Sequence, residues 1–175
     1  MAKVDVNNTK TENLVNPLGL DTTVPRFSWQ ITSDQNDVVQ TAYEILVASS
    51  IDKLNTGDGD LWNSGKIKSS EQLWIAYNGK QLKSNQRGYW KVRAYTNKGL
   101  TEWSKPQEFG IGLLKESHWS GRWIGLERLM EGEQKGLHTR LAARYLRKEF
   151  ELKDMQVVRA TAHVSGLGLY ELFIN

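Results

Sequence analysis

No cysteine occurs in the 175 residues, which excludes a disulfide framework, a thiolate metal site and a cysteine nucleophile. Histidine is almost as scarce. His118, His138 and His163 stand in separate segments without ligand spacing or a clustered carboxylate, so no metal centre is expected. No apolar run approaches the roughly 20 residues that cross a bilayer, and no membrane span is expected. The opening MAKVDVNNTKTENLVNP lacks the apolar centre of a signal peptide. It fits a cytoplasmic chain, or a periplasmic or other extracytoplasmic one whose leader has been removed. A large charge of one sign is missing too. Lys and Arg outnumber Asp and Glu by 23 to 20, as 13 against 12 over residues 1–114 and 10 against 8 over 115–175. The densest basic run, Arg140, Arg144, Arg147 and Lys148, is followed at once by Glu149 and Glu151. Nucleic acid needs a basic face that neutralises several phosphates together, and none is expected as a partner.

What is present is a foldable core. Hydrophobic residues make up 39% of the chain and charged residues 25%, with seven Trp and six Tyr, which excludes a disordered polar polymer. Residues 1–16 are polar and read as a flexible lead-in. From Pro17 onward, short runs of β-branched and aromatic residues alternate with Gly, Asn, Asp and Ser clusters, the pattern of an all-β domain. Helical periodicity is hard to find anywhere. Candidate strands are Arg26–Ile31, Thr41–Ser49, Leu61–Lys66, Gln72–Tyr77, Gly88–Thr96 and Pro106–Ile111. In the fifth, Trp90, Val92 and Ala94 share one face and Lys91 and Arg93 the other, the period of a half-buried strand. Asn97-Lys98-Gly99 then supplies a hairpin turn, and Asp58-Gly59-Asp60 a turn ahead of Leu61-Trp62.

A boundary is expected at Gly112–Gly125, where paired glycines and two Trp interrupt the strand rhythm. The expected domains are 17–114 and 115–175. Within the second, 127–136 is a polar loop, and strands are expected at Ala143–Leu152 and Val157–Val164, before SGLGLYELFIN adds a turn and another strand. Sixty-one residues from Lys115 are too few for a complete second sandwich, so this part reads as truncated. The stretch Leu82–Trp103, LKSNQRGYWKVRAYTNKGLTEW, resembles a fibronectin type III-like (immunoglobulin-like) β-sandwich. The corner tyrosine of such sandwiches would fall at Gly88, with Tyr89 on the opposite face, which implies that this corner is built differently.

A wider resemblance follows from ordered blocks: NPLGLDTTVPRFSWQI, QTAYEILVASS, LWNSGKI, YWKVRAY, FGIGLL followed by RWIG, then LRKEFEL and SGLGLYELFIN. Together they resemble the N-terminal region of bacterial α-L-rhamnosidases of glycoside hydrolase family 78. The resemblance implies a fibronectin type III-like module followed by the first strands of a jelly-roll β-sandwich. It also implies, as partner, the catalytic barrel of the parent chain, an (α/α)₆ barrel that hydrolyses terminal α-L-rhamnosides with inversion. Inversion requires a carboxylic acid to protonate the leaving oxygen and a carboxylate to activate water. No position here matches the family's catalytic motif, so no catalytic residue, cofactor or metal is assigned.

The remaining candidates divide by their surroundings. Glu127, Glu131 and Glu133 offer paired carboxylates, but ERLMEGEQKG is too polar to raise a catalytic carboxyl's pKa. Asp58 and Asp60 are too few for calcium, and turn chemistry accounts for them. Gly166-Leu167-Gly168 lacks the third glycine and following helix of a phosphate loop, and reads as a tight turn. Trp29, Trp62 and Trp90 are expected in the core, and Trp103 against Lys91 and Arg93. Trp119 and Trp123 flank the boundary, where they pin the joint or stack on a sugar, with rhamnose-containing glycans as the ligands the resemblance implies. The competing functions are a non-catalytic accessory region, an independent carbohydrate-binding module and a protein-interaction module.

Overall fold

The computed structural model describes residues 3–126, 128–134, 136, 142–152 and 156–174. The chain forms two compact units, Met1–Gly121 and Arg122–Asn175. Among the described residues, all eight strands belong to the first. They are β1 (Val4–Thr11), β2 (Arg26–Ser33), β3 (Gln40–Ala48), β4 (Trp62–Asn63), β5 (Ile75–Ala76), β6 (Arg87–Thr96), β7 (Gly99–Leu100) and β8 (Gln107–Gly110). One sheet runs β1-β2-β5; the other runs β4-β3-β6-β7, with β8 also paired to β6, and the pairings between these strands are antiparallel. The expected all-β, immunoglobulin-like sandwich is the fold observed. Each sheet has one apolar face, and the two bury those faces against each other.

Strand β6 shows why the sequence folds this way. Its ten residues alternate between partly buried and buried without a break, placing Trp90, Val92 and Ala94 in the core and Lys91 and Arg93 outside. Phe27 and Trp29 on β2, Ile45 and Val47 on β3, and Phe109 on β8 complete the interior. The Phe27 and Trp90 rings lie 4.3 Å apart between centroids, and Phe109 sits 5.9 Å from Phe27. Two indole N–H groups are satisfied inside this core. Trp29 donates to Oε1 of Gln40 at 3.0 Å, and Trp90 donates to Oγ1 of Thr11 at 3.0 Å. Gln40 in turn donates through Nε2 to the Ser69 and Glu71 carbonyls at 3.0 and 2.8 Å.

The segment expected to be a flexible lead-in is instead strand β1, paired with β2 from Val4↔Ser33 to Thr11↔Phe27 across a bulge between Asn7 and Lys10. Its hydrophilic composition conceals its role, because what it buries is largely threonine. Thr9 and Thr11 are buried, Thr11 to 1% exposure, with the Thr11 hydroxyl answering the Trp90 indole. A buried polar group is tolerated when it is hydrogen-bonded, so apolar content alone could not reveal this strand. A second correction is helix α1 (Ile51–Thr56), absent from the sequence expectation. Six residues are too few to display a 3.6-residue period. The helix is nonetheless delimited in the expected manner, with Ser50 accepting from Lys53 N–H and Gly57 left-handed at φ 83°. Its Leu54 packs on Leu46 and Ala48, on the outer face of the larger sheet.

The tight place in the sandwich is Gly88. It pairs with Phe109 across β6 and β8, and a Cβ there would stand 2.3 Å from Phe109 Cζ. The ring covers the glycine, at the position where the sandwich resemblance would put a corner tyrosine. Tyr77 ties the neighbouring loops instead. Its hydroxyl lies 2.7 Å from the Lys80 carbonyl and 3.1 Å from that of Leu61, and burial first, then Asp60, pushes its pKa up to about 12.

In the second unit, the expected strands Ala143–Leu152 and Val157–Val164 are not paired into a ladder among the described residues. A strand exists through its partner's backbone groups. The residues expected to share faces there, Leu146, Phe150, Leu152, Val158 and Val164, are exposed. Leu167 and Gly168 form a bend, with Gly168 at φ 133°. Glu133 supplies much of the local order, accepting from Met130 N–H, Ala142 N–H and the Arg144 guanidinium.

Candidate functional site

Glu133 is held at a pKa of about 2, foremost by the hydrogen bonds from Arg144 and then by those from the Met130 and Ala142 amides. A general acid requires the opposite shift. Glu131 is exposed, and Glu127 lies outside the described residues. Asp60 is pushed upward by burial, but hydrogen bonds from Lys53 and Ser49 outweigh that and bring it down to about 2. Its oxygens accept from Ser49 N–H and Oγ, both at 2.8 Å, and from Lys53 Nζ at 2.7 Å. It ties β3 and α1 to the turn, as expected of turn chemistry. Among the described residues no group of three or more His, Cys, Asp or Glu side chains could hold a metal ion. His118 Nδ1 lies 2.5 Å from Ser84 Oγ, and His138 falls outside the described residues.

The aromatic side chains leave more to explain. Trp29 and Trp90 are fully buried, and Trp62 packs against the core from its edge, 5.5 Å from Tyr77. Trp103 lies where the sequence places it, with Arg93 at 4.6 Å and Lys91 at 5.1 Å from its ring. Burial, then the nearby Arg93, lowers the Lys91 pKa. Arg93 also pairs with Glu44 at 2.6 Å, while Lys66 sits 4.0 Å over the Tyr95 ring. These residues cover the outer face of the larger sheet around the Leu46, Ala48 and Leu54 cluster. The two sequence candidates are exposed: Trp119, at the end of the 3-10 turn Glu116–His118, by 43%, and Trp123 by 69%.

Trp74 escaped the sequence reading. It precedes β5 with φ 58°, a left-handed conformation uncommon for a bulky side chain, and its N–H donates to Ser28 Oγ at 3.0 Å. The Arg26 guanidinium lies 4.2 Å from its ring centroid. Arg26 is itself clamped by Glu12 through Nε at 3.1 and 3.2 Å and Nη2 at 2.6 Å, and Glu12 also accepts the Arg26 backbone N–H. Those side-chain bonds, against an opposing push from burial, hold the Glu12 carboxyl below its ordinary value. Sequence spacing gives no hint of this cluster, since its members come from the β1-β2 connection, β2 and the approach to β5. In the sequence Trp74 is one aromatic residue inside the expected strand Gln72–Tyr77.

Comparison with known proteins places this architecture. The family described as "Rha78A-like, N-terminal immunoglobulin domain" matches residues 6–115. An α-L-rhamnosidase of Formosa agariphila is 38% identical over an alignment covering 91% of this chain and 18% of that protein. The crystal structure of Streptomyces avermitilis α-L-rhamnosidase complexed with L-rhamnose matches with a TM-score of 0.66 and 37% identity, over 70% of this chain and 12% of that one. The α-L-rhamnosidase from Dictyoglumus thermophilum matches with a TM-score of 0.65 and 37% identity, over 72% and 14% respectively. The chain therefore spans about 18% of the length of the curated relatives it matches.

Proposed function

Because the chain belongs to the family of Rha78A-like N-terminal immunoglobulin domains, we propose that it is a non-catalytic accessory region of an α-L-rhamnosidase. The observation that carries this reading is the match of its whole sandwich to that N-terminal domain, within relatives more than five times its length. In this reading the chemistry belongs to a barrel elsewhere in the parent protein, which removes terminal α-L-rhamnosides with inversion through two carboxyl groups. The sandwich, now counted from β1 to about residue 114, buttresses that barrel. Residues 115–175 begin a jelly-roll sandwich whose strands find their partners in the parent chain.

The purified 175-residue chain, assayed on an aryl α-L-rhamnoside, is expected to give no turnover above a buffer blank. Turnover that copurifies with the chain would refute the accessory role. A second reading, a carbohydrate-binding module, is favoured by the exposure of Trp119 and Trp123, whose rings would stack on rhamnose-containing glycans.

A further inference from the structure

We propose that Trp74, Arg26 and Glu12 form a stacking site for one ring of a neutral pyranoside. Three observations converge on it. The indole is 43% exposed next to an exposed Leu73. Its left-handed backbone is a costly conformation for tryptophan, and such outliers persist where the surroundings hold them for a purpose. The guanidinium against the ring is not a loose surface arginine, since Glu12 fixes it through two nitrogens.

The chemistry of the ligand follows from what each group has left to offer. An indole presents a flat apolar surface that suits the C–H face of a sugar. Arg26 Nε and Nη2 are occupied by Glu12 and the guanidinium covers one face of the ring, so the sugar would stack on the other face, with the ion pair holding the ring in place. The ion pair leaves the cluster without net charge, so a carboxylated sugar gains little by binding there. With both side chains fixed beforehand, the ligand has less ordering entropy to overcome. The site extends the carbohydrate side of the proposed function and is independent of its accessory side.

The test is titration of the 175-residue chain with neutral methyl pyranosides, methyl α-L-rhamnoside among them, and with a methyl glucuronide. Indole N–H resonances provide the readout. At least one neutral glycoside is expected to give a saturable shift, with the glucuronide weaker. Trp74→Ala should weaken binding about tenfold or more, and Trp74→Phe should retain part of it. Trp119→Ala and Trp123→Ala should leave it in place. Trp74→Gly should lose binding while melting no lower than the parent, because glycine adopts this φ without strain. No saturable response to a neutral glycoside, a response that survives Trp74→Ala, or tighter binding of the glucuronide would overturn the proposal. So would a Trp74→Gly protein that melts well below the parent, which would assign the ring to holding the sheet edge. None of those results bears on the rhamnoside assay, so the two readings fail separately.

Discussion

Replacing Gly88 with alanine adds one methyl group at the most crowded point of the sandwich. The added Cβ would meet Phe109 at 2.3, 2.7 and 3.0 Å, whereas ordinary contact begins at 3.4 Å. The ring must retreat by about 1 Å, yet it is fully buried, with Phe27 5.9 Å from it. Overpacking of this kind costs about 1–3 kcal/mol. One consideration places the cost in the upper half of that range. The obstructing atoms belong to a ring whose backbone is fixed by the Gly88↔Phe109 pair, so the side chain cannot swing away freely. Against this, alanine restricts the unfolded chain and returns about 0.4–1 kcal/mol. A net loss of about 2 kcal/mol is expected from urea unfolding followed by tryptophan fluorescence, with an unchanged m-value. Gly88→Ala combined with Phe109→Leu should be less destabilised than the two single variants added together, by about 1 kcal/mol, because the smaller side chain vacates the contested space. A single-variant loss below about 0.5 kcal/mol, or strict additivity in the pair, would refute the steric account of this glycine.

Two further outcomes follow from the polar contacts. Thr11→Val keeps the shape of the side chain but leaves the Trp90 indole N–H without an acceptor, and should cost about 1–3 kcal/mol in the same assay; a neutral result would mean that β1 contributes little to the core. Asp60 titrates at about 2 when folded, below its ordinary 3.8, so its contribution to stability is fully present above about pH 4 and is lost as pH falls toward 2. Allowing for screening at this partly exposed site, Asp60→Asn should remove about 1 kcal/mol at pH 7 and flatten the acid limb of the stability profile. Parallel acid limbs for the two proteins would dissociate that limb from Asp60.

The parts of the fold legible in the sequence are those where apolar burial and strand period coincide. Strand β6 is the clearest: its alternation of Trp90, Val92 and Ala94 with Lys91 and Arg93 fixes both its identity and its facing, and Trp103 finds the two cations as expected. The ordered blocks of residues pointed to the same family that the whole sandwich matches. Strand β1 was illegible because its buried positions include Thr9 and Thr11, polar residues that carry no hydrophobic signal, Thr11 being admitted to the core by its hydrogen bond to the Trp90 indole. Helix α1 was too short to show a period, although Ser50 and Gly57 bracket it. Trp74 was hidden for another reason. Its exposure depends on a backbone sign that residue type does not encode, and its partners lie far away in sequence.

Gln40 shows how little regular structure a crossing between sheets requires. The chain between Ile67 and Leu73 passes from one sheet toward the other without a ladder, and carbonyls left unpaired there would be costly. One amide replaces the neighbouring strand: its two donated hydrogen bonds satisfy Ser69 and Glu71, and its oxygen faces the Trp29 indole. Because an inverted amide would set donor against donor at Trp29, only one orientation satisfies all three contacts. The path of the crossing is thereby referred to the centre of the core, and so is the starting point from which the chain reaches the exposed ring of Trp74.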